Sequence, residues 1–248
     1  TNIHFGYFPH IADPSQKVVN FAESGYALNK HMVDVAGINA QSNVIDFGCG
    51  VGGPIFDVSQ QTNCKATGID LTPEFVEQAN QNFGSQSDRV NYVVGSITDL
   101  PKEVKEQRFS HLFSIQAVCH IAAYFPDVLR EAHSVLDTNG VLVMNDFVVS
   151  ENGPSEKAQE FFYKRLHFDK LLSFADLAEG LTNNGFDIVK YENCSKHAEY
   201  GYQILAPQAE EKGSMEKDGQ PLAKHYQETS ACFSRGELGM VVVVARKK

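Results

Sequence analysis

Val44-Ile45-Asp46-Phe47-Gly48-Cys49-Gly50-Val51-Gly52-Gly53 is the stretch on which the reading of this chain turns. A short apolar run leads into a glycine-rich turn, and Pro54 then opens a helix where a missing N–H costs nothing. Glycines in such a turn permit positive φ and let a ligand approach the backbone closely. The helix start adds unpaired N–H groups. A ligand at the carboxyl end of a first strand is the expected geometry of an open α/β sheet. Gly48, Gly50 and Gly53 match the spacing G-x-G-x-x-G, which alone does not identify the ligand. Asp46 discriminates. It sets a carboxylate beside the loop, where a pyrophosphate gains nothing but a cationic amine or sulfonium does. Asp70, eighteen residues after Gly52, ends the next strand, where a carboxylate accepts both hydroxyls of a ribose. The pair points to a ribose-bearing, partly cationic ligand.

Outward from this loop, short apolar runs alternate with longer amphipathic stretches. Strands are expected at Asn43–Phe47, Lys65–Asp70, Val90–Val94, Ser110–Ile115, Val141–Val148 and Asp187–Glu192, and in the apolar run Met240–Arg246. Helices are expected over Ser15–Ile38, Pro54–Gln61, from a Thr72 cap with Pro73 behind it, and around Val128–Leu136, the last ended by Asn139-Gly140. Two more are expected within Ser155–Asn183. Such alternation predicts an α/β, Rossmann-like sheet of seven strands, mainly parallel, with an antiparallel C-terminal strand, helices on both faces and a helical lid. The chain divides as an N-terminal helical lid (1–40), a cofactor-binding core (41–150), substrate-side helices with the sixth strand and an insertion (151–236), and a C-terminal core strand (237–248). Residues Ser195–Gly236 are polar and poorly periodic. They read as a functional insertion with a short helix near Leu222–Gln227.

Composition narrows the classes. The chain has 248 residues, enough for one large domain or one domain and a small lid. Hydrophobic residues make up 42% and charged residues 21%, which suits a globular chain with a full core. The net charge of -10 gives no bulk attraction for nucleic acid or an anionic membrane. No apolar run approaches a membrane span, and no secretory leader is expected. The five cysteines, Cys49, Cys64, Cys119, Cys194 and Cys232, are odd in number and scattered, so a reducing cytoplasmic setting without disulfides is expected. No residue spacing calls for a metal. Monomer and homodimer both stay open.

The motifs together resemble class I S-adenosylmethionine-dependent methyltransferases, and more narrowly the small-molecule group that holds sterol, tocopherol, glycine-betaine-pathway and natural-product enzymes. His4-Phe5-Gly6-Tyr7-Phe8 resembles that group's N-terminal aromatic lid. Ile45 to Gly53 matches its first motif and Gly68-Ile69-Asp70-Leu71 its ribose motif. Gly95 to Pro101 and Gln116 to His120 match the segments after the third and fourth strands. The resemblance implies that Asp46, Gly48 and Gly50 hold the methionine end and that Asp70 takes the ribose. It implies that Leu71 flanks the adenine, Ile97 meets the base, Gln116 lies near the sulfonium and Tyr7 closes over it. Two departures stand out: Ser96 replaces the usual Asp, which weakens a side-chain bond to the adenine amino group, and Thr138-Asn139 replaces a Pro-Gly turn.

Methyl transfer is an in-line displacement at a carbon already activated by the sulfonium. Alignment supplies up to roughly 7–11 kcal/mol of barrier reduction, and a base adds about 10²–10⁴-fold when the nucleophile carries a proton. His120, after the fourth strand, and Asp146, at the end of the fifth, are the catalytic candidates, with turn capping the alternative for Asp146. His4, Tyr7, Tyr163, His167 and Tyr226 are candidates for holding the substrate. Aromatics such as Phe161, Phe162, Phe168 and Phe174 suit a flat or apolar acceptor, or simply a core. Two other readings compete. One is an NAD(P)-dependent oxidoreductase using the same loop; the other is a non-catalytic S-adenosylmethionine-binding protein. The acceptor, and whether N, O, C or S is methylated, is not legible from the sequence.

Overall fold

The structure, a computed structural model, describes residues 4–248. Seven strands form one sheet in the order β3-β2-β1-β4-β5-β7-β6. They are β1 (Asn43–Phe47), β2 (Lys65–Asp70), β3 (Val90–Val94), β4 (Phe109–Ile115), β5 (Leu136–Val149), β6 (Phe186–Asn193) and β7 (Leu238–Lys247). β1 pairs in parallel with β2 and β4, β2 with β3, and β4 with β5. β7 runs antiparallel between β5 and β6. It can sit there because both of its faces are apolar. Met240, Val242 and Val244 join one core, while Val241, Val243 and Ala245 join the other.

The main helices are α1 (Phe21–Ala36), α2 (Gly53–Thr62), α3 (Pro73–Ala79), α4 (Phe125–Val135), α5 (Phe174–Asn183), α6 (Ser195–Glu211) and α7 (Leu222–Ser234). On one face, Leu28, Met32 and Val33 of α1 pack with Ile55 and Val58 of α2 and with Tyr202 and Phe233 of α6 and α7. On the other, Phe125, Val128, Leu129 and Ala132 of α4 pack with Leu177 and Leu181 of α5. α1 thus contributes a core layer. It starts later than the expected Ser15, at a capping box in which Asn20 and Glu23 bond each other's backbone N–H groups, and it ends at Gly37 in the left-handed region.

Two expectations about local structure are corrected. The 195–236 segment is no loop with one short turn: α6 and α7 are 17 and 13 residues long and pack together. The inward side of α6 is His197, Ala198, Gly201, Tyr202, Ala206 and Ala209, a stripe built mostly of alanine and glycine and interrupted by Pro207 within the helix, which makes it faint in the sequence. Asn139, at φ 62, does not end α4. That helix stops at Val135 because Leu136 turns extended, and Asn139 shapes a turn in the leading end of β5. Among the described residues, no helix is long and apolar enough to cross a membrane.

Candidate active site

The glycine loop leaves β1 and enters α2 through three left-handed positions, Gly48 (φ 78), Gly50 (φ 53) and Gly52 (φ 84). At Gly48 a Cβ would stand 2.4 Å from the Ala117 Cβ, and at Gly52 it would stand 2.7 Å from the Tyr92 ring. Side chains are excluded there by both conformation and space. Asp70 braces the loop from β2. Gly50 N donates to its Oδ2 at 2.9 Å, and Thr72 N donates to its Oδ1 at 2.9 Å. Thr72 precedes α3, but its side chain makes no cap bond. Thr72 holds the expected N-cap position through its backbone, and the Asp70 carboxylate accepts from the Thr72 N–H two residues on. Each Asp70 oxygen accepts one backbone bond and keeps a lone pair for a ligand.

Above this loop lies a cavity of about 620 Å³. One end is lined by Gly48, Gly50, Asp70, Leu71, Ser96, Ile97 and Gln116, seven of the nine residues expected to hold the cofactor. Leu71 stands 70% exposed, an open apolar surface of the kind a flat base covers. Ser96 Oγ is engaged by Thr98, through Oγ1 at 2.8 Å and the backbone N–H at 3.2 Å. The other end is lined by Phe5, His120, Ile121, Tyr124, Phe147, Leu166 and Phe168, with His4 also in the wall. Phe5 was expected only as part of the N-terminal aromatic run His4–Phe8, and Phe147, Ile121, Tyr124 and Leu166 were not singled out beforehand. Each is an ordinary apolar residue whose role comes only from converging with the others; only the count of aromatics around Phe168 hinted at this wall.

Asp46 lies beneath the loop, buried and outside the lining. Burial, and then the charge of Asp70, push its pKa up to about 8. A folded value above the ordinary 3.8 means that this carboxyl stabilises the fold below that pH and loses the contribution as pH rises through about 8. A bound cation reverses the balance by favouring the ionised form. Binding of S-adenosylmethionine, the ligand the motifs imply, is therefore expected to release protons from Asp46 near neutral pH. Titration calorimetry in phosphate and in Tris, whose ionisation enthalpies differ, should give different heats for wild type and equal heats for Asp46→Asn. Equal heats for wild type would refute the coupling.

The N-terminal segment roofs the cavity. Phe5 N donates to Gln116 Oε1 at 2.9 Å, and Gln116 Nε2 donates to Phe5 O at 3.0 Å and to Asn145 Oδ1 at 2.9 Å. Gln116 itself sits at φ 48, a left-handed conformation rare for a residue with a side chain. Farther along, Tyr7 N donates to Ser24 O and Phe8 N to His197 Nδ1, each at 2.9 Å. Gln116→Leu would remove the acceptor of the Phe5 N–H together with the donor to the Phe5 and Asn145 oxygens. The loss of about 1–3 kcal/mol should speed hydrogen exchange of the Phe5 amide roughly tenfold or more, and unchanged exchange would reject Gln116 as the fastening.

Several expected site residues lie elsewhere. Tyr7 does not close over the cavity. Its ring is stacked between His31 and His197, with centroids 4.3 and 4.0 Å away. Tyr163 is buried against Phe162 and Phe168 and lines a separate, smaller cleft. His167 is exposed at a helix end (φ 56), and Tyr226 packs on Tyr202 and beneath Arg165. Asp146 is buried outside the lining, and its oxygens accept from Cys119 N at 3.1 Å and Phe147 N at 2.9 Å. Asp146 therefore holds the start of the short helix Val118–Tyr124 that carries His120, the capping role weighed against catalysis. His120 does reach the cavity, 4.8 Å from the Phe168 ring. Burial, then the His167 charge, lower its pKa, so its neutral, proton-accepting form is favoured.

The family described as a methyltransferase domain matches residues 38–213 of this chain. Sterol 24-C-methyltransferase of Eremothecium gossypii is 26% identical over 185 residues, covering 70% of this chain and 48% of that protein. The chain spans about half the length of the curated relatives it matches. A solved geranyl diphosphate methyltransferase in complex with SAM superposes with a TM-score of 0.81 at 15% identity, over 100% of this chain and 99% of that one. The [4+2]-cyclase SpnF superposes with a TM-score of 0.77 at 19% identity, over 99% of this chain and 88% of that one. The two structures share the fold.

Proposed function

This chain belongs to the methyltransferase-domain family, and from that premise we propose that it moves a methyl group from S-adenosylmethionine to a small, largely apolar molecule. The observation that carries this is the Asp70 carboxylate in a cavity whose lining, among the described residues, holds no lysine or arginine, with the Asp46 carboxyl buried beneath the same loop. Burial and then the charge of Asp70 raise the Asp46 pKa, and a cationic nucleoside would offset that shift. A dinucleotide pyrophosphate would bring negative charge to the same place and find no cationic side chain in the lining to meet it.

The residues fit the proposed cofactor. Asp70 would take the ribose hydroxyls on its free lone pairs, Leu71 and Ile97 would enclose the base, and Gly48 and Gly50 would let the amino-acid end reach the backbone. The sulfonium supplies a methyl carbon already activated for displacement. The protein's share is alignment and dryness: Phe5, Phe147 and Phe168 wall off water, and the Gln116 clasp holds Phe5 in place. His120 is the group placed to receive a proton from an O or N nucleophile. A cytoplasmic setting and a small-molecule partner accord with this reading.

The fold alone does not decide the chemistry, since a cyclase shares it. The discriminating experiment combines calorimetric titration of S-adenosylhomocysteine and of NAD with a mass-spectrometric screen of metabolite extracts supplied with methyl-labelled S-adenosylmethionine. Binding of the nucleoside and a labelled product are expected. NAD binding in its place would establish the oxidoreductase reading, and nucleoside binding with no labelled product would establish a binding or non-transferring protein.

A further inference from the structure

Three carboxyl side chains are buried among the described residues: Asp46, Glu131 and Asp146. The first lies under the glycine loop, and the third holds the start of the His120 helix. Glu131, on α4, lies outside the cavity lining, and a carboxyl withdrawn from water needs polar partners. It finds them at the end of the segment that follows β3. Leu100 N donates to Glu131 Oε2 at 3.2 Å, and Lys105 Nζ stands 3.3 Å from the same oxygen. Lys105 Nζ also donates to Asp99 Oδ1 at 2.8 Å, so one cation ties the two carboxylates together. Leu100 is itself buried, so its N–H depends on Glu131 for an acceptor.

The segment closes on itself, and its far end therefore answers to this anchor. Gly95 N donates to Asp70 O at 2.9 Å. Gly95 also lies against Pro101, where an added Cβ would stand 2.5 Å from Pro101 Cγ, and Ser96 and Asp99 pair across the loop. Gly95, Ser96, Ile97 and Thr98 line the cavity. Leu100 and Val104 pack in one apolar cluster with Val128 and Ala132 of α4, which sets the depth of the loop's end, while Glu131 supplies its polar anchor. We propose that Glu131 is a positioning residue for the cofactor: by holding the Leu100 N–H from α4, it sets the loop that presents Ile97 to the base. This rests on the methyltransferase reading and deepens it. α4 starts directly after the short helix Val118–Tyr124, which brings His120 and Tyr124 to the acceptor wall, so the same strut joins the two ends of the cavity.

The test compares S-adenosylhomocysteine with 5′-methylthioadenosine, which keeps the base and ribose and lacks the amino-acid end, by calorimetry below the melting transition of each variant. Glu131→Met keeps the length of the side chain and removes both oxygens. It should weaken both ligands by the same factor, roughly tenfold, the worth of one buried hydrogen bond. Glu131→Gln, which returns an oxygen to the Leu100 N–H, should bind both within about threefold of wild type. The Leu100 amide should exchange faster in Glu131→Met, and Glu131→Gln should restore its protection. Where Glu131→Met does not fold, Lys105→Met decides in its place: it removes the exposed tie to Asp99 and should weaken both ligands about threefold. The proposal is overturned if the affinities stay unchanged in the deciding variant, whatever its melting temperature, or if S-adenosylhomocysteine loses far more than 5′-methylthioadenosine. It is also overturned if Glu131→Gln binds no better than Glu131→Met, or if wild type binds S-adenosylhomocysteine but not 5′-methylthioadenosine, since the loop would then give the base no hold of its own. Failure of S-adenosylhomocysteine to bind wild type would instead sink the methyltransferase reading itself.

Discussion

Asp70→Ala is expected to weaken S-adenosylhomocysteine binding by at least about a hundredfold, with the folded state retained. Two separate losses combine. The carboxylate now accepts the Gly50 and Thr72 N–H groups and so sets the shape of the loop that faces the ligand. Its remaining lone pairs are the proposed ribose acceptors. Hydrogen bonds to a charged group contribute about 1.5–3 kcal/mol each, so loss of two ribose bonds alone costs roughly two orders of magnitude or more. Asp70→Asn should fall little short of alanine, because its amide presents N–H to one of two backbone donors that both need an oxygen. Calorimetry measures the affinity, and a melting curve for each variant separates lost binding from lost folding. An unaltered dissociation constant for Asp70→Ala would remove this residue from the site and leave the loop without its proposed ligand.

Gly48→Ala should be the more damaging change for stability. At φ 78 any other residue pays about 1–2 kcal/mol for the left-handed backbone. The added Cβ also meets the Ala117 Cβ at 2.4 Å, and overpacking of this kind costs about 1–3 kcal/mol more. For a chain of this length the total of about 2–5 kcal/mol corresponds to a fall in Tm of roughly 4–20 °C. Gly153→Ala is the control. Gly153 has nearly the same φ, 77, but nothing within 4 Å of its added Cβ, so it should show the backbone cost alone. A second control is the double change Gly48→Ala with Ala117→Gly, which removes the collision and should recover the overpacking part. If Gly48→Ala and Gly153→Ala melt together, the close approach of the loop to the Ala117 turn has no energetic weight. Because Ala117 leads into the short helix that carries His120, Gly48→Ala should also lower turnover in whatever protein stays folded.

Much of the fold was legible because its signals are local. β1, β2 and β3 begin and end where short runs rich in β-branched residues meet turn residues, with edge strand β3 alternating buried Val90 and Tyr92 with exposed Asn91. The glycine loop was readable for the same reason: three left-handed positions in five residues leave few other residue types. Asp70 could be placed from spacing, because a strand fixes the distance between a loop and the residue that ends the neighbouring strand. The helical hairpin of α6 and α7 was hard to read, because the inward stripe of α6 is mostly alanine and glycine around Tyr202 and Pro207 stands inside the helix, where it normally marks an end.

The sequence by itself determined the alternation of strands and helices, the glycine turn and the two carboxylates beside it. All of these are set by backbone conformation and by patterns a few residues long. Tertiary structure alone decided which side chains share the cavity. Tyr7 was drawn between His31 and His197, and Asp146 was taken up in holding the helix of His120. Phe5, legible only as one member of an aromatic run, became a wall through a clasp with Gln116, 111 residues away. Such placements follow from packing between distant segments. The free energy of a buried aromatic or a satisfied carboxylate depends on which neighbours the whole fold delivers, and no local stretch of residues contains that information.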